Sequence, residues 1–300
     1  MPALSRQIGL AFDVAGCPNR CRHCWLGHTP NASAPQRLAS EEPLRQVVRQ
    51  FREWRRPGAD EPYFESLIVA TWYREPDFSP DYRRLWELEQ ELSDEGAAVR
   101  FELLSIWRLA RDEGYAPWAR QIGTQACQIS FFGMQETTDW FCGRKGAFRD
   151  SLLATERLLQ AGIRPRWQLF LTERLLPELD AFVALVDELD LERRVAALGG
   201  EFELFVHSVC PDGAGFEIEH LRPMVDALDA IPDYLAAKTR AYKGKVSLEK
   251  CLGRAEADWL PELLREGSPL AEMPPRLAFM VTPDLDVYSN LGEPTPAWRL

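Results

Sequence analysis

Cys17-Pro18-Asn19-Arg20-Cys21-Arg22-His23-Cys24, followed at once by Trp25, Leu26 and Gly27, is the stretch on which everything else in this chain turns. The spacing is C-x3-C-x2-C. Three thiolates on one short loop suit three corners of a [4Fe–4S] cube, and no further cysteine follows until Cys127. A fourth iron without a local ligand is a place to bind and reduce another molecule. Two blander readings stay open. C-x2-C pairs are common zinc ligands, and the loop could be vestigial. Structural zinc takes four ligands, often as two separated pairs, whereas this triplet is compact.

Outside the loop, 300 residues with 46% hydrophobic content are enough for one large domain, or a domain with an appendage. The net charge of −11 gives a nucleic-acid partner no electrostatic support. No apolar run is long enough to span a bilayer, and the first residues hold Arg6 but no hydrophobic signal core. A cytoplasmic protein without a membrane partner is expected. Seven cysteines, an odd count, fit a reducing compartment in which thiols serve metals or catalysis.

Short apolar runs alternate with amphipathic stretches, which predicts βα units around a parallel sheet. Strands are expected at 8–14, 66–72, 99–105, 126–131, 166–171 and 202–209. The cysteine loop leaves the end of the first. Ser40 is expected to cap a helix carrying Leu44, Val47, Val48, Phe51 and Trp54, and Ser79-Pro80 to open one carrying Leu85, Trp86, Leu88 and Leu92. A helix over 148–161 should end at Gly162, and another should carry Phe182, Leu185, Val186 and Leu189. Residues 216–300 read differently: a helix with Leu221, Met224, Val225, Leu228 and Ile231, a Pro-rich stretch, and a hairpin over 277–290.

The cysteine spacing close to the first strand resembles the radical S-adenosylmethionine (radical SAM) superfamily. Six βα units are too few for a closed eight-stranded barrel, and the resemblance implies an α/β fold, a partial (β/α)6 TIM-like barrel over 1–215. A small helical and hairpin extension would occupy 216–300. The family has an aromatic residue before its last cysteine, where this chain has His23. After strand two the family has a Gly-Gly-Glu-Pro-like segment that holds the SAM amino group. Here Tyr73-Arg74-Glu75-Pro76 stands, which implies Glu75 for that role without the close approach that glycines allow. Ile129-Ser130-Phe131-Phe132-Gly133, Thr138-Asp139 and Gly146-Ala147-Phe148 are similar to a segment of the anaerobic sulfatase-maturing enzymes, with Thr138 and Cys142 replacing a His and an Arg. That resemblance implies that Ser130 contacts the SAM carboxylate, Trp25 lies near the adenine, and Ser105 adds a further SAM contact. Pro211-Asp212-Gly213-Ala214-Gly215 resembles the turn that closes the sixth strand there.

Val281 to Asn290 resembles the opening hairpin of a SPASM or twitch extension, with Asn290 where a cysteine would stand. Cys127, Cys142, Cys210 and Cys251 are scattered, so a single cluster held by Cys17, Cys21 and Cys24 is expected. The chain ends at Trp298-Arg299-Leu300, where such an extension ordinarily runs on, as in a truncated chain.

The cofactors implied are a [4Fe–4S] cluster and SAM. The implied reaction is reductive SAM cleavage to a 5′-deoxyadenosyl radical, which takes hydrogen from a substrate. A reductant such as flavodoxin or ferredoxin would supply the electron. Strand alternation places Trp167, Leu169 and Leu171 on one face and Arg166 and Gln168 on the other. Gln128 pairs in face with Ser130, and Glu203 with His207. Gln128, Arg166, Gln168, Glu203 and His207 are therefore candidates to line a substrate cavity, unless they bond among themselves. His207 also reads as a hydrogen-bonded core histidine. Cys142 and Cys210 are candidates to return a hydrogen atom to a substrate radical, although buried cysteine is usually packing. With Cys17 so close to the start, a small-molecule or short-peptide substrate is favoured. Peptide or protein modification and a silent Fe–S or zinc protein are the alternatives.

Overall fold

The alternation that predicts strands also decides what each sheet buries. A computed structural model of the chain describes residues 6–14, 16–27, 31–94, 102–209, 213–242, 248–255, 257, 260–261, 264, 277–289 and 295–300. In order these form β1 (Gln7–Phe12), α1 (Glu42–Glu53), β2 (Ser66–Ala70), α2 (Tyr82–Leu92), α3 (Ile106–Leu109) and α4 (Tyr115–Gln121). Next come β3 (Ala126–Phe131), α5 (Gln135–Cys142), α6 (Ala147–Gln160), β4 (Arg164–Leu171), α7 (Leu179–Glu188) and α8 (Leu191–Ala196). The rest are β5 (Leu204–Ser208), α9 (Asp233–Ala241), α10 (Leu248–Cys251), β6 (Leu277–Val281), β7 (Asp286–Tyr288) and β8 (Trp298–Arg299).

Two compact units emerge. Met1–Pro18, His28–Arg100 and Ala271–Leu300 form the first, and Asn19–Gly27 with Phe101–Leu270 the second. The first holds a mixed sheet in the order β2-β1-β6-β7-β8. β1 runs parallel to both β2 and β6, and β6 turns back into antiparallel β7. The expected hairpin over 277–290 is therefore present as β6 and β7, with Asn290 outside the described residues. One face of this sheet presents Ile8, Leu10, Phe12, Leu67, Val69 and Val281 to Leu44, Val47 and Val48 of α1 and to Leu88 and Leu92 of α2. Burying that apolar face is the main force holding the unit.

The second unit holds the parallel sheet β3-β4-β5. Here Phe131, Trp167, Leu169, Leu171, Leu204 and Val206 are fully buried. The Trp167 ring meets Phe131, Phe182 and Phe202 at centroid distances of 4.3, 5.6 and 5.7 Å, and its Nε1–H donates to Thr155 Oγ1 at 3.1 Å. Burial with a satisfied indole makes Trp167 the anchor of this core. Among the described residues neither sheet closes on itself.

Several expectations need correction. Residues 99–101 lie outside the described residues, and 102–105 form no strand. The Ser105 N–H donates to the Tyr115 hydroxyl at 3.1 Å instead of a ladder, and the Ser105 hydroxyl accepts from the Arg108 N–H to cap α3. A bond from the Gln128 N–H to the Glu102 carbonyl at 2.7 Å marks the place beside β3. The helix expected through Leu221 to Ile231 is absent. Two 3₁₀ segments, Gly213–Leu221 and Val225–Ala230, stand there instead, and α9 follows. Pro223 and Pro232 disfavour helical backbone in the residues before them, and Ile231 is indeed extended at ψ 120°. Ser40 sits one residue and Ser79 two residues ahead of the cap position, their hydroxyls accepting from the Glu42 and Asp81 N–H groups. Glu41 and Asp81 occupy the cap positions.

Candidate functional site

The two units contribute separate groups of candidate residues. In the first, the chain leaves β1 through Asp13 and Gly16 to Cys17. The Cys17 N–H donates to the Ala32 carbonyl at 3.0 Å, and Asn31 Nδ2 donates to the Cys17 carbonyl at 3.2 Å. Glu75, on the turn after β2, donates its N–H to the Gly16 carbonyl at 3.3 Å, so the expected SAM-amino residue is tied to the start of the cysteine loop. Immediately before it, Arg74 Nε reaches Asp13 Oδ2 at 3.1 Å, both side chains being about one-twentieth exposed. Burial raises the Asp13 pKa, opposed by the Arg74 charge. Burial also raises the Tyr73 phenol to about 12, the Asp13 charge adding to it. The Asp13–Arg74 pair was missed at the sequence level. Its only signals were a carboxylate ending an apolar strand and a cation in place of a glycine.

In the second unit, Asn19–Gly27 lies on the C-terminal end of α5. The Arg20 and Arg22 N–H groups donate to the Cys142 and Phe141 carbonyls at 2.9 and 2.8 Å. Arg144 Nε donates to Asn19 Oδ1 at 2.6 Å. The Cys24 carbonyl accepts from the Gly27 and Ala214 N–H groups, and the Cys24 N–H donates to the Cys21 carbonyl. Trp25 is 49% exposed. Cys142 is buried beside Phe132 and Phe141. Cys210 lies outside the described residues, as does the Cys251 side chain.

His23 packs its ring 4.7 Å from Phe132 and 5.0 Å from Phe170. Its Nδ1 is buried with no hydrogen-bond partner among the described residues. Burial lowers its pKa from 6.5 to about 4, so the imidazole is held neutral. His23→Phe is therefore expected to stabilise the metal-free protein by about 1–3 kcal/mol at neutral pH, the cost of a stranded buried polar atom. Below pH 6.5 the unfolded chain takes up a proton that the folded state refuses until about pH 4, so stability falls across that interval. The substitution should flatten that fall. Urea unfolding of both proteins between pH 4 and 7 checks it, and a less stable His23→Phe would contradict the packing argument.

The candidate cavity residues are brought together as a bonded ladder on one face of the sheet. Gln128 Nε2 and, at 3.4 Å, Ser130 Oγ donate to Gln168 Oε1. Arg166 donates to Gln128 Oε1 and Glu102 Oε2, each at 2.7 Å, and lies 3.7 Å from Glu203 Oε2. Glu102, not singled out from the sequence, thus completes the ladder. Arg166 Nε is buried without a partner among the described residues. Its guanidinium stands 5.5 Å from the Tyr242 ring, which stacks on Phe205 at 3.9 Å. His207 Nδ1 is 2.6 Å from the Ser208 carbonyl, and the ring lies 5.6 Å from Phe170. An open pocket of about 150 Å³ lies where β5 begins, lined by Glu201, Glu203, Lys238 and Tyr242 among others. Glu203 is the one expected cavity residue on its wall. Ser105 is fully buried as the cap of α3.

Cys17, Cys21 and Cys24 are half-buried thiols. Cys17 belongs to the first unit and the other two to the second. Among the described residues no three His, Cys, Asp or Glu side chains are gathered as a metal-holding group. In donor chemistry the three soft thiols of the loop suit an iron–sulfur cluster and zinc alike. The single imidazole within the loop packs against Phe132 and Phe170, which stack on each other at 4.9 Å.

No protein-family profile and no curated protein matches the sequence. Solved structures do resemble the fold. "Native anSMEcpe with bound AdoMet" aligns with a TM-score of 0.55 at 16% identity, over 98% of this chain and 77% of that one. The same protein with bound AdoMet and the Cp18Cys peptide aligns at 0.52 and 16% identity, over 98% and 76%. Streptococcus suis SuiB bound to its precursor peptide SuiA aligns at 0.49 and 11% identity, and this chain spans 60% of SuiB's length. At such identities the likeness is one of fold: an open, mixed β-sheet core flanked by helices, the partial TIM-like architecture of radical SAM proteins.

Proposed function

We propose that this chain is a radical SAM enzyme acting on a small molecule or a short peptide. The observation that carries the proposal is a C-x3-C-x2-C loop leaving β1 of a fold that resembles an AdoMet-bound structure. Cys17, Cys21 and Cys24 would hold a [4Fe–4S] cluster, and Glu75, Ser130, Trp25 and Ser105 would contact SAM. When reduced, such a cluster supplies homolytic cleavage of SAM to methionine and a 5′-deoxyadenosyl radical that takes a hydrogen atom from substrate. The chain's own contribution is placement and exclusion of water. The hydrogen bond between Glu75 and Gly16 couples the amino-group contact to the loop that carries Cys17. The ladder from Ser130 through Gln168 and Gln128 to Arg166 presents fixed donors and acceptors to a polar substrate. Glu203 and His207 extend the same face. Cys142 and Cys210 are the candidates to return hydrogen, and loss of turnover with iron retained in Cys142→Ala or Cys210→Ala would identify the donor.

One observation favours a second reading, modification of a peptide or protein, because a structure with similar fold holds the Cp18Cys peptide. In either case a flavodoxin or ferredoxin is the proposed reductant.

Anaerobic reconstitution tests the metal assignment. About four irons per chain are expected, falling to near zero in Cys21→Ala. Zinc in place of iron, or iron retained after each cysteine is replaced, would overturn it.

A further inference from the structure

Four residues of the second unit's sheet form a square on one face. β4 and β5 pair in register, Gln168 beside Phe205 and Phe170 beside His207. Side chains two apart along a strand share a face, so the polar pair occupies one diagonal and the phenyl pair the other. Strands about 4.8 Å apart, rising about 3.3 Å per residue, put the Cα atoms of Gln168 and His207 about 8 Å apart. The Phe170 ring, 5.6 Å from that of His207, is also 5.0 Å from that of His23, which stands between Cys21 and Cys24. The square therefore adjoins the cysteine loop.

Hydrogen bonding fixes which atoms of the polar pair remain unused. Arg166 can only donate, so Gln128 turns Oε1 to it and Nε2 to Gln168. Gln168 must answer with Oε1, which also accepts from Ser130, and its Nε2 is left over. A carbonyl can only accept, so His207 carries its hydrogen on Nδ1, towards Ser208, and in the neutral ring Nε2 is a bare acceptor. Gln168 Nε2 and His207 Nε2 make no hydrogen bond among the described residues. Gln168 is only 8% exposed, yet neither atom is fully enclosed, unlike Arg166 Nε.

A ligand that meets both atoms must bring an acceptor and a donor together. A carboxylate or ester would set oxygen lone pairs against His207 Nε2, and an ammonium would give Gln168 no acceptor. A hydroxyl would have to serve both from a single oxygen. An amide offers two atoms: its carbonyl accepts from Gln168 Nε2 and its N–H donates to His207 Nε2. We propose that Gln168 and His207 select the substrate by an amide group, carried in a lactam ring or in a peptide bond. The assignment rests on the function proposed above and gives its substrate a chemical class. A compound without the N–H is rejected because the acceptor stays unpaired.

The test is NMR of the reconstituted, oxidised full chain carrying isotope-labelled histidine, at about pH 8. The His207 signals, identified by their absence in His207→Phe, should report hydrogen on Nδ1 and none on Nε2. Three probes are titrated to about 100 mM: pyrrolidinone, a lactam; N-methylacetamide, a trans amide like a peptide bond; and N-methylpyrrolidinone, which lacks the N–H. At least one of the first two should move the His207 Nε2 signal upfield, and the third should not. Which of the two binds more tightly distinguishes a ring amide from a peptide bond. Gln168→Glu keeps an oxygen for Gln128 and Ser130 but removes the free donor. Roughly tenfold weaker binding is expected from it, with folding and iron content unchanged. Hydrogen on Nε2, equal shifts from all three probes or from none, or undiminished binding by Gln168→Glu would overturn the amide pair while leaving the enzyme reading intact. Wild type that takes up no iron would overturn the reading beneath it, and the substrate role with it.

Discussion

Asp13→Ala is expected to cost about 3–5 kcal/mol of folding free energy, because it removes one partner of an ion pair whose two side chains are both buried. The pair is among the most enclosed in the chain, with side chains 5% and 6% exposed. Most other ion pairs, such as Arg84 with Glu91, lie largely in water and contribute little. The raised Asp13 pKa carries the same message, since burial outweighs even an adjacent cation. Arg74→Gly, which would restore a glycine before Glu75, is expected to be costly for the mirror-image reason: it strands the carboxylate. Replacing both by apolar residues of similar size, Asp13→Leu with Arg74→Met, should recover most of the loss. Urea unfolding of the two single variants and the double variant forms the test. Single variants within about 0.5 kcal/mol of wild type would show that water reaches the pair.

Gly143→Ala and Gly213→Ala are expected to loosen the cysteine loop. Gly143 follows α5 in the left-handed region at φ 61°, and a Cβ there would lie 2.5 Å from the Arg20 carbonyl oxygen. Gly213 has φ 57°, and its Cβ would lie 2.3 Å from the Trp25 carbonyl oxygen. Backbone cannot yield as a flexible side-chain tip does, so the loop must shift. Backbone strain and displacement together should cost about 1–3 kcal/mol in each variant. Both should also lose iron faster to a chelator than wild type. Unchanged iron retention in both would mean that the loop is not held by these two close approaches.

What the sequence disclosed, it disclosed through periodicity. Ala126–Phe131 is found as expected, and β1, β2, β4 and β5 differ from expectation only at their ends. The faces of β4 separate as alternation requires, Trp167 and Leu169 to the helices and Arg166 and Gln168 to the ladder. Failures came where local chemistry overrides pattern. Ser105 looks like the end of an apolar strand, but a phenol hydroxyl and a capped turn claim its backbone. Leu221, Met224, Val225 and Leu228 have helical spacing, yet Pro223 and Pro232 break the segment. In the candidate site, residue types were legible and pairings were not. Gln128, Arg166 and Gln168 were singled out for polarity on an inner face, while Glu102 and Asp13 gave no periodic signal and emerge only from contacts across the chain.

The most direct test of the central claim is 5′-deoxyadenosine formation. Anaerobically reconstituted, dithionite-reduced protein is incubated with SAM and the product is measured by chromatography. The account predicts 5′-deoxyadenosine from wild type and none from Cys21→Ala. A protein holding about four irons that never cleaves SAM, with or without candidate substrates, would contradict it and leave a silent iron–sulfur protein.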